Sequence, residues 1–367
     1  MPQTNSYILI VSSEFPPQPG GIGSHALQLA SHLSQRECDV VVLTDQRSPD
    51  GLEESCFDDK LKFKVVRIKK RRLRVVMYLE RVSRCFKLSK KAKSVIATGK
   101  FSLWNVALSN FFVGTHSIAI VHGSEVNLKS KILRGLTYRS LKTFNTIVAV
   151  SEFTKKFIKD LEQKIVVIPN GISSSDWNGT GITDIQIKGY PVLTTVGHVS
   201  ERKGQLTVIK HLPALLKVYP ELHYHCIGIP SAQQAFEREA NNLNVARHIT
   251  FHGALGEDDL KAHLLKTDIF VLLSSETSHG AVEGFGIAVL EANALGVPAI
   301  GARGSGVEEA IEHGESGILI DGSNSKAFIE AIDVIMKSKS AFRSKAKLWA
   351  ESHDWSYIID KYIQLVK

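Results

Sequence analysis

Residues 7–43 read YILIVSSEFPPQPGGIGSHALQLASHLSQRECDVVVL, and they predict a strand, a loop, a helix and a second strand. Tyr7–Val11 is short, apolar and followed by prolines, which is typical of a buried strand. Asp39–Leu43 is the next predicted strand. Between them, one helix face collects the apolar residues Ala26, Leu29, Ala30 and Leu33. This order predicts a parallel sheet with helices packed on its faces.

The same alternation continues along the chain and starts again after Gly171. Residues 173–189 are rich in serine and glycine and are the predicted linker. We therefore expect an α/β fold of two Rossmann-like, doubly wound domains with a ligand cleft between them. The expected domains are 1–172, joined by a C-terminal helix 351–367, and 173–350. The other predicted strands are Ile118–Val121, Thr146–Val150, Ile165–Ile168, Val192–Val196, His223–Ile227, His248–Phe251, Asp268–Leu273 and Pro298–Ile300.

The composition is that of a globular protein, and 367 residues are enough for two hydrophobic cores. The 14 histidines form no metal-binding motif, and no apolar run is long enough to span a bilayer. No basic segment precedes the first strand, so we expect a cytoplasmic protein without a secretory signal. Four widely spaced cysteines, which we expect to be reduced thiols, are Cys38, Cys56, Cys85 and Cys226.

The loop after the first strand, residues 15–25, combines prolines with glycines and leads into a helix expected to begin near Ser24. Exposed amides at a helix start bind anions, although an ordinary turn is the alternative. Gly21-x-Gly23-x-x-Ala26, with Asp45 downstream, also fits a dinucleotide fingerprint. The fingerprint needs its first glycine directly after the strand, and here the eight residues Ser12–Pro19 intervene, so nicotinamide binding is the weaker interpretation.

Two further segments carry residues suited to a nucleotide ligand. Gly197 ends a predicted strand, and Arg202 and Lys203 follow at a helix start, where two cations can neutralise a diphosphate without a metal. The alternative is a solvated pair of cations. In residues 283–300, EGFGIAVLEANALGVPAI, two glutamates flank a Gly-Phe-Gly turn whose amides can approach a ligand. Glu291 falls inside the following helix, where its carboxylate needs donors such as ribose hydroxyls, a protein cation or an amide.

Taken in order, these segments resemble glycosyltransferase family 4, whose members are retaining enzymes with the two-domain GT-B fold. The resemblance covers essentially the whole chain. Its motifs are FPPQPGGIG at 15–23, HGSE at 122–125, VSE at 150–152, IPNG at 168–171, GHVSERKG at 197–204, EGFGIAVLEANALGVPAI at 283–300 and HDWS at 353–356.

The resemblance implies a role for each matching residue. Gly20, Gly21 and Gly23 correspond to the loop that faces the donor diphosphate, and His122 to the histidine beside the donor sugar. Lys203 corresponds to the lysine on the diphosphate, supported by Arg202. Glu283 corresponds to the glutamate near the donor sugar, and Glu291 to the one that holds the ribose. Backbone amides around sugar and phosphate correspond to Gly197, Gly284, Phe285, Gly286 and Ile287.

The implied reaction moves a hexosyl or N-acetylhexosaminyl group from a UDP- or GDP-linked sugar to a saccharide or lipid-linked acceptor, in cell-surface polysaccharide or glycoconjugate synthesis. Its oxocarbenium-like transition state builds negative charge on the diphosphate, which cations and amides stabilise. The chain contains no Asp-x-Asp triplet, so we expect no metal and no other cofactor. The expected attack is from the face of the leaving group, with the hinge at Pro169–Gly171. His198 stands where the family often has arginine, which predicts weaker or pH-dependent diphosphate binding.

Residues 60–93 contain 15 Lys or Arg and a single acid, Glu80. Within 67–93, the apolar residues Val75, Leu79, Val82 and Phe86 share one helix face, with Arg81, Arg84, Lys87 and Lys91 roughly opposite. Such a helix can lie on an anionic membrane surface or pack on the core with a solvated basic face. Few aromatic residues accompany the charges, so a nucleic-acid partner is not expected.

Other functions consistent with these motifs are an inactive or regulatory nucleotide-sugar-binding homologue, a sugar-phosphorylating or epimerising enzyme on the same fold, and a nicotinamide oxidoreductase. Product identity separates the first two from a transferase, and a cofactor titration tests the last.

Overall fold

The computed structural model describes residues 7–71 and 73–366, with only the backbone of Arg74. Residues 1–6, Arg72 and Lys367, which the predicted domains and the basic segment include, lie outside the described residues. Contacts divide the chain into two units. Unit 1 lies within Met1–Gly171 and Trp355–Lys367, and unit 2 is Ile172–Asp354.

Unit 1 contains a seven-stranded parallel sheet in the order β3-β2-β1-β4-β5-β6-β7. Because β1 lies between β2 and β4, the strand order reverses at β1, and the carboxyl ends of β1 and β4 border the crevice where such sheets bind ligands. The strands are β1 (Tyr7–Ser12), β2 (Val40–Asp45), β3 (Lys64–Ile68), β4 (Ala92–Thr98), β5 (His116–Val121), β6 (Thr146–Ala149) and β7 (Lys164–Val167).

Helices cover both faces of this sheet. The first of them begins at Gly21, three residues earlier than the sequence predicted, so the glycines of the loop form its first turn. The helices of unit 1 are α1 (Gly21–Gln35), α2 (Leu52–Asp58), α3 (Arg74–Ser89), α4 (Lys100–Asn110), α5 (Lys131–Leu141), α6 (Glu152–Lys156) and, at the C-terminus, α13 (Trp355–Ile363).

Unit 2 has a six-stranded parallel sheet in the order β10-β9-β8-β11-β12-β13. Its strands are β8 (Val192–Val196), β9 (His223–Ile227), β10 (Ile249–Gly253), β11 (Ile269–Leu272), β12 (Ala299–Ala302) and β13 (Gly317–Ile320). Its α-helices are α7 (Gln205–Val218), α8 (Gln233–Asn242), α9 (Glu257–Leu265), α10 (Ile287–Ala294), α11 (Ser325–Lys337) and α12 (Lys339–Ser352). Residues 173–189 contain turns but neither helix nor strand.

Three strands were not predicted from the sequence: β3, β4 and β13. Strand β4 reads AKSVIAT, and its small polar residues hide the apolar pattern, although Ser94 and Thr98 are fully buried at the centre of the sheet. Strand β3 reads KVVRI and lies at the sheet edge, and its charged residues Lys64 and Arg67 interrupt the apolar run.

Only part of the basic segment is helical. Arg67 belongs to β3, and only Arg74–Ser89 is helical. Arg81, assigned to the solvated face, is 8% exposed and forms a two-bond ion pair with Asp45, while Val75 and Leu79 are 69% and 65% exposed. The alternative of a core-packed helix with a solvated basic face is therefore wrong at these positions, because a tertiary ion pair rather than the apolar stripe orients α3. No helix among the described residues is long and apolar enough to cross a membrane.

Candidate functional site

In unit 2, two cations converge on one carboxylate. Glu283 is 9% exposed, and its Oε2 atom lies 2.9 Å from Lys203 Nζ and also forms an ion pair with Arg202. Burial alone would raise the pKa of Glu283, but the two neighbouring cations outweigh it, and the pKa lies below its ordinary value. Arg202, Lys203 and Glu283 together therefore carry one net positive charge beside the glycine turn.

Glycines allow this arrangement to pack closely. Lys203 crosses Gly197 (φ 137°), and a Cβ on that glycine would lie 2.9 Å from Lys203 Cε. Gly204 (φ 77°) caps α7, and a Cβ there would clash with the backbone of Leu273 at the end of β11. Any side chain at these two positions would push the cations away from the carboxyl edge of the sheet.

The Glu283–Gly286 turn leads directly into α10. Gly286 caps the helix in the left-handed region, with φ 97°, where glycine carries no steric penalty. Beneath the turn, the Gly306 N–H donates a hydrogen bond to the Glu283 carbonyl at 3.0 Å, and a Cβ on Gly306 would clash with Gly284. Phe285 is 1% exposed, so its side chain belongs to the core of the unit rather than to a ligand surface.

Glu291 lies one turn into α10 and is half-buried. Within residues 7–71 and 73–366, no side chain or backbone amide donates a hydrogen bond to its carboxyl group. Burial raises the pKa of Glu291 to about 7, with Lys203 opposing and Glu257 adding to the rise. A ligand that donates hydrogen bonds would satisfy this carboxylate, and neither of the protein partners considered from the sequence does so in this structure.

In unit 1, three side chains distant in sequence hold the glycine-rich loop. Glu54 accepts a hydrogen bond from Gln18 at 3.1 Å, and Arg67 donates to the Pro16 carbonyl at 2.5 Å. Arg47 donates to the Ser13 carbonyl at 3.0 Å. Burial opposes ionisation of Glu54, but its hydrogen bonds from Ser48 and Arg47 lower its pKa to about 2. The carboxylate of Glu54 that holds the glycine-rich loop is therefore ionised throughout the physiological pH range.

His122 follows the end of β5 and is positioned through both its backbone and its ring. Its Nε2 atom lies 2.8 Å from the Thr98 hydroxyl, and its backbone N–H donates to Glu125 at 2.5 Å. The ring packs edge-on against His25, with 5.1 Å between centroids. Burial lowers the pKa of His122 to about 4, so the imidazole is neutral at physiological pH.

Comparison with known proteins identifies the family. Residues 19–176 match Glycosyltransferase Family 4, and residues 183–352 match Glycosyl transferases group 1. The chain belongs to glycosyltransferase family 4. The resemblance seen in its motifs is thereby confirmed.

Characterised relatives align along most of this glycosyltransferase. The GDP-mannose-dependent alpha-(1-6)-phosphatidylinositol monomannoside mannosyltransferase of Mycobacterium tuberculosis H37Rv is 23% identical over 348 residues, 89% of this chain and 88% of the relative. A GDP-mannose-dependent monoacylated alpha-(1-6)-phosphatidylinositol monomannoside mannosyltransferase of Corynebacterium glutamicum is 26% identical over 377 residues, 96% of this chain and 94% of the relative.

Solved structures share the fold at lower identity. Anabaena Alr3699/HepE in complex with UDP and glucose superposes with a TM-score of 0.77 at 17% identity, covering 98% of both chains. Sucrose-phosphate synthase of Thermosynechococcus elongatus gives 0.79 at 16% identity, again covering 98% of both. The predicted GT-B fold is confirmed.

The structure groups the predicted residues of the glycosyltransferase within each unit. Unit 2 brings together Gly197, Arg202, Lys203 and Glu283, and unit 1 places Gly20, Gly21 and Gly23 at the start of α1. Asp45, which the dinucleotide alternative required as a ribose ligand, is instead paired with Arg81. The residues that sequence reasoning missed are Glu54, Arg67 and Gly306, since no local pattern marks a side chain that acts through a distant loop.

Proposed function

We propose that this glycosyltransferase transfers a hexosyl or N-acetylhexosaminyl group from a UDP- or GDP-linked donor with retention of anomeric configuration. The convergence of Lys203 and Arg202 on Glu283, beside a glycine turn, carries the proposal. It supplies positive charge where a diphosphate leaves. Glu291, a carboxylate without a donor among the described residues, then accepts hydrogen bonds from the ribose hydroxyls. The backbone amides that face the sugar and the phosphates are those of Gly284, Phe285, Gly286 and Ile287.

The proposed chemistry needs charge stabilisation rather than a metal. As the anomeric C–O bond to phosphate breaks, negative charge grows on the diphosphate and is met by Lys203, Arg202 and the amides at helix starts. His122 is neutral and offers hydrogen bonding to the sugar without adding charge. The incoming acceptor oxygen bonds to the same face of the anomeric carbon, and its proton passes to the leaving diphosphate.

A lipid-linked or saccharide acceptor is supported by the relatives. Two are named as enzymes that act on phosphatidylinositol monomannosides, and one of Rhizobium meliloti, 29% identical over 180 residues, is named for lipopolysaccharide core biosynthesis. We therefore propose that this enzyme acts in cell-surface glycoconjugate synthesis at the cytoplasmic face of a membrane.

A donor screen tests the proposal. The protein is incubated with GDP-mannose, UDP-glucose, UDP-galactose and UDP-N-acetylglucosamine, with octyl α-mannoside or phosphatidylinositol vesicles as acceptors, with and without EDTA. Nucleotide release that survives EDTA, with an α-linked product, is the expected result. Donor binding without product would instead support the inactive or regulatory homologue, and release that EDTA abolishes would contradict metal independence.

The raised pKa of Glu291 predicts that donor affinity depends on pH. Its carboxyl group is half ionised near pH 7, and the ionised form is the stronger hydrogen-bond acceptor for ribose hydroxyls. Donor affinity should therefore rise by up to about tenfold between pH 6 and pH 8 in titration calorimetry with the intact nucleotide sugar. The donor's own phosphates are diesters and do not titrate in this range.

Glu291→Gln provides the matched control for that titration. This variant removes the ionisable carboxyl group of residue 291 but keeps His198. Any pH dependence of donor affinity that remains in the variant therefore arises from other groups. An equal pH dependence in wild type and Glu291→Gln would contradict the assignment of Glu291 to the ribose.

We further propose that unit 1 contacts an anionic membrane through the start of α3 and the helices beside it. Exposed apolar residues in α3 are Val75, Val76, Tyr78 and Leu79, and α4 and α5 add Phe101, Ile132, Leu133 and Leu136. These helices all follow parallel strands, so they begin at the same edge of the sheet as His122, which follows β5. Exposed cations surround them at Lys69, Lys70, Arg71, Lys129, Lys131 and Arg134.

Vesicle co-sedimentation tests this surface. Wild type should bind phosphatidylcholine vesicles that contain 30% phosphatidylglycerol, and Val75→Ser/Leu79→Ser should bind about tenfold more weakly, because two exposed apolar contacts with the acyl boundary are lost. Val218→Ser/Leu348→Ser removes exposed apolar residues of unit 2 and is the control. Equal binding by all three proteins, or binding unaffected by 0.5 M NaCl, would count against the surface.

A further inference from the structure

Glu14 lies at the reversal of strand order in unit 1. It follows β1 by two residues, and β1 neighbours β4, whose last residue, Thr98, contacts the His122 ring. Ligands of such sheets bind outside the carboxyl ends of the strands at this point. A side chain in this position lies at the ligand-binding edge of the sheet rather than in the core.

The Glu14 carboxylate has no protein partner among the described residues, although it is half-buried. Its Oε2 atom lies against Gly20, since a Cβ built on that glycine would clash with it. The Ser12 hydroxyl bonds to the Glu14 carbonyl and therefore fixes the backbone, not the carboxylate. A half-buried carboxylate without a protein donor takes its hydrogen bonds from water, or from a ligand that displaces the water.

The charge around Glu14 limits what that ligand can be. Glu125, which holds the His122 backbone, is 6% exposed and close enough for Glu14 to help burial raise its pKa to about 7, against the influence of Lys100. A diphosphate oxygen has no proton to donate and is repelled by the Glu14 charge, so the diphosphate itself is not the ligand of this carboxylate. A neutral hydroxyl can instead donate a hydrogen bond to Glu14 without adding negative charge.

We infer that Glu14 is an acceptor-binding residue that receives a hydrogen bond from a hydroxyl of a sugar or cyclitol head group. The inference rests on the proposed transferase function and names one contact of its acceptor. Glu14 binds a hydroxyl that does not react and so orients the neighbouring hydroxyl, whose oxygen forms the new bond to the anomeric carbon while its own proton goes to the leaving diphosphate. The carboxylate is therefore unchanged over the reaction.

The experiment compares transfer with donor hydrolysis. The donor and acceptor with the highest turnover in the screen above are used with wild type, Glu14→Gln, Glu14→Ala and Glu53→Gln, the last an exposed glutamate of α2 in the same unit. Glu14→Ala should lower kcat/KM for the acceptor by about 10- to 100-fold, the loss expected for a hydrogen bond to a charged group, with a smaller loss for Glu14→Gln. Donor hydrolysis without acceptor and nucleotide affinity should stay within about twofold.

The outcomes separate the two claims. If the wild type turns over and Glu14→Ala has the same kcat/KM for the acceptor, the proposed role of Glu14 is wrong. A loss of nucleotide affinity in Glu14→Ala that matches its loss of kcat/KM would also overturn this role, and neither result would overturn the transferase function. Absence of turnover and of donor binding in the wild type would overturn the transferase function itself.

Discussion

Replacing Lys203 by alanine is expected to lower kcat/KM for the nucleotide-sugar donor by about 10²- to 10³-fold, the range found when one donor to a developing anion is removed. Lys203 Nζ lies 2.9 Å from Glu283, and its stem crosses Gly197, so the ammonium is held at the edge of the sheet. Its loss removes one of two cations and leaves Glu283 balanced by Arg202 only. Steady-state release of nucleotide from the donor found in the screen measures the effect.

The Lys203 result needs a lysine that is not in the cluster as its control. Lys210→Ala serves, because Lys210 is exposed on α7 in the same unit. It should keep kcat/KM within about twofold. If Lys203→Ala behaved like Lys210→Ala, the cation cluster would not be the diphosphate site and the proposed function would lose the observation that carries it.

Gly306→Ala is expected to reduce kcat/KM by about 100-fold or more although Gly306 is not among the predicted ligand residues. The new Cβ clashes with the backbone of Gly284, which cannot rotate away as a side chain would. The Glu283–Gly286 turn must therefore shift, and displacement of a catalytic group by about 1 Å can cost this much. Overpacking should also lower the free energy of unfolding by about 1–3 kcal/mol.

Two measurements separate the loop shift from unfolding. Thermal denaturation shows whether Gly306→Ala is folded at the assay temperature, and calorimetry then reports donor affinity of the folded protein. Gly256→Ala is the matched control, because a Cβ there meets no atom within 4 Å and φ is −65°. Wild-type kinetics in Gly306→Ala would show that the turn does not need this support.

The sequence by itself determined the fold class. Short apolar strands such as Tyr7–Val11, each followed by a helical repeat, can bury their residues only in a parallel sheet covered by helices. It also indicated the residues suited to a diphosphate and a ribose, because glycine turns, adjacent cations and spaced glutamates are local features. Strand β4 escaped prediction because Ser94 and Thr98 look exposed in a sequence and are buried by the neighbouring strands.

Only the tertiary structure decided how charges are paired. Arg81 belongs to a basic run, yet it turns inward to Asp45, 36 residues earlier in the chain, and leaves Val75 and Leu79 in solvent. Arg202 and Lys203 meet Glu283, which is some 80 residues away, while Glu14 and Glu291 have no partner among the described residues. Local periodicity reports which residues can share a face, whereas the partner of a charge depends on which distant strands end side by side.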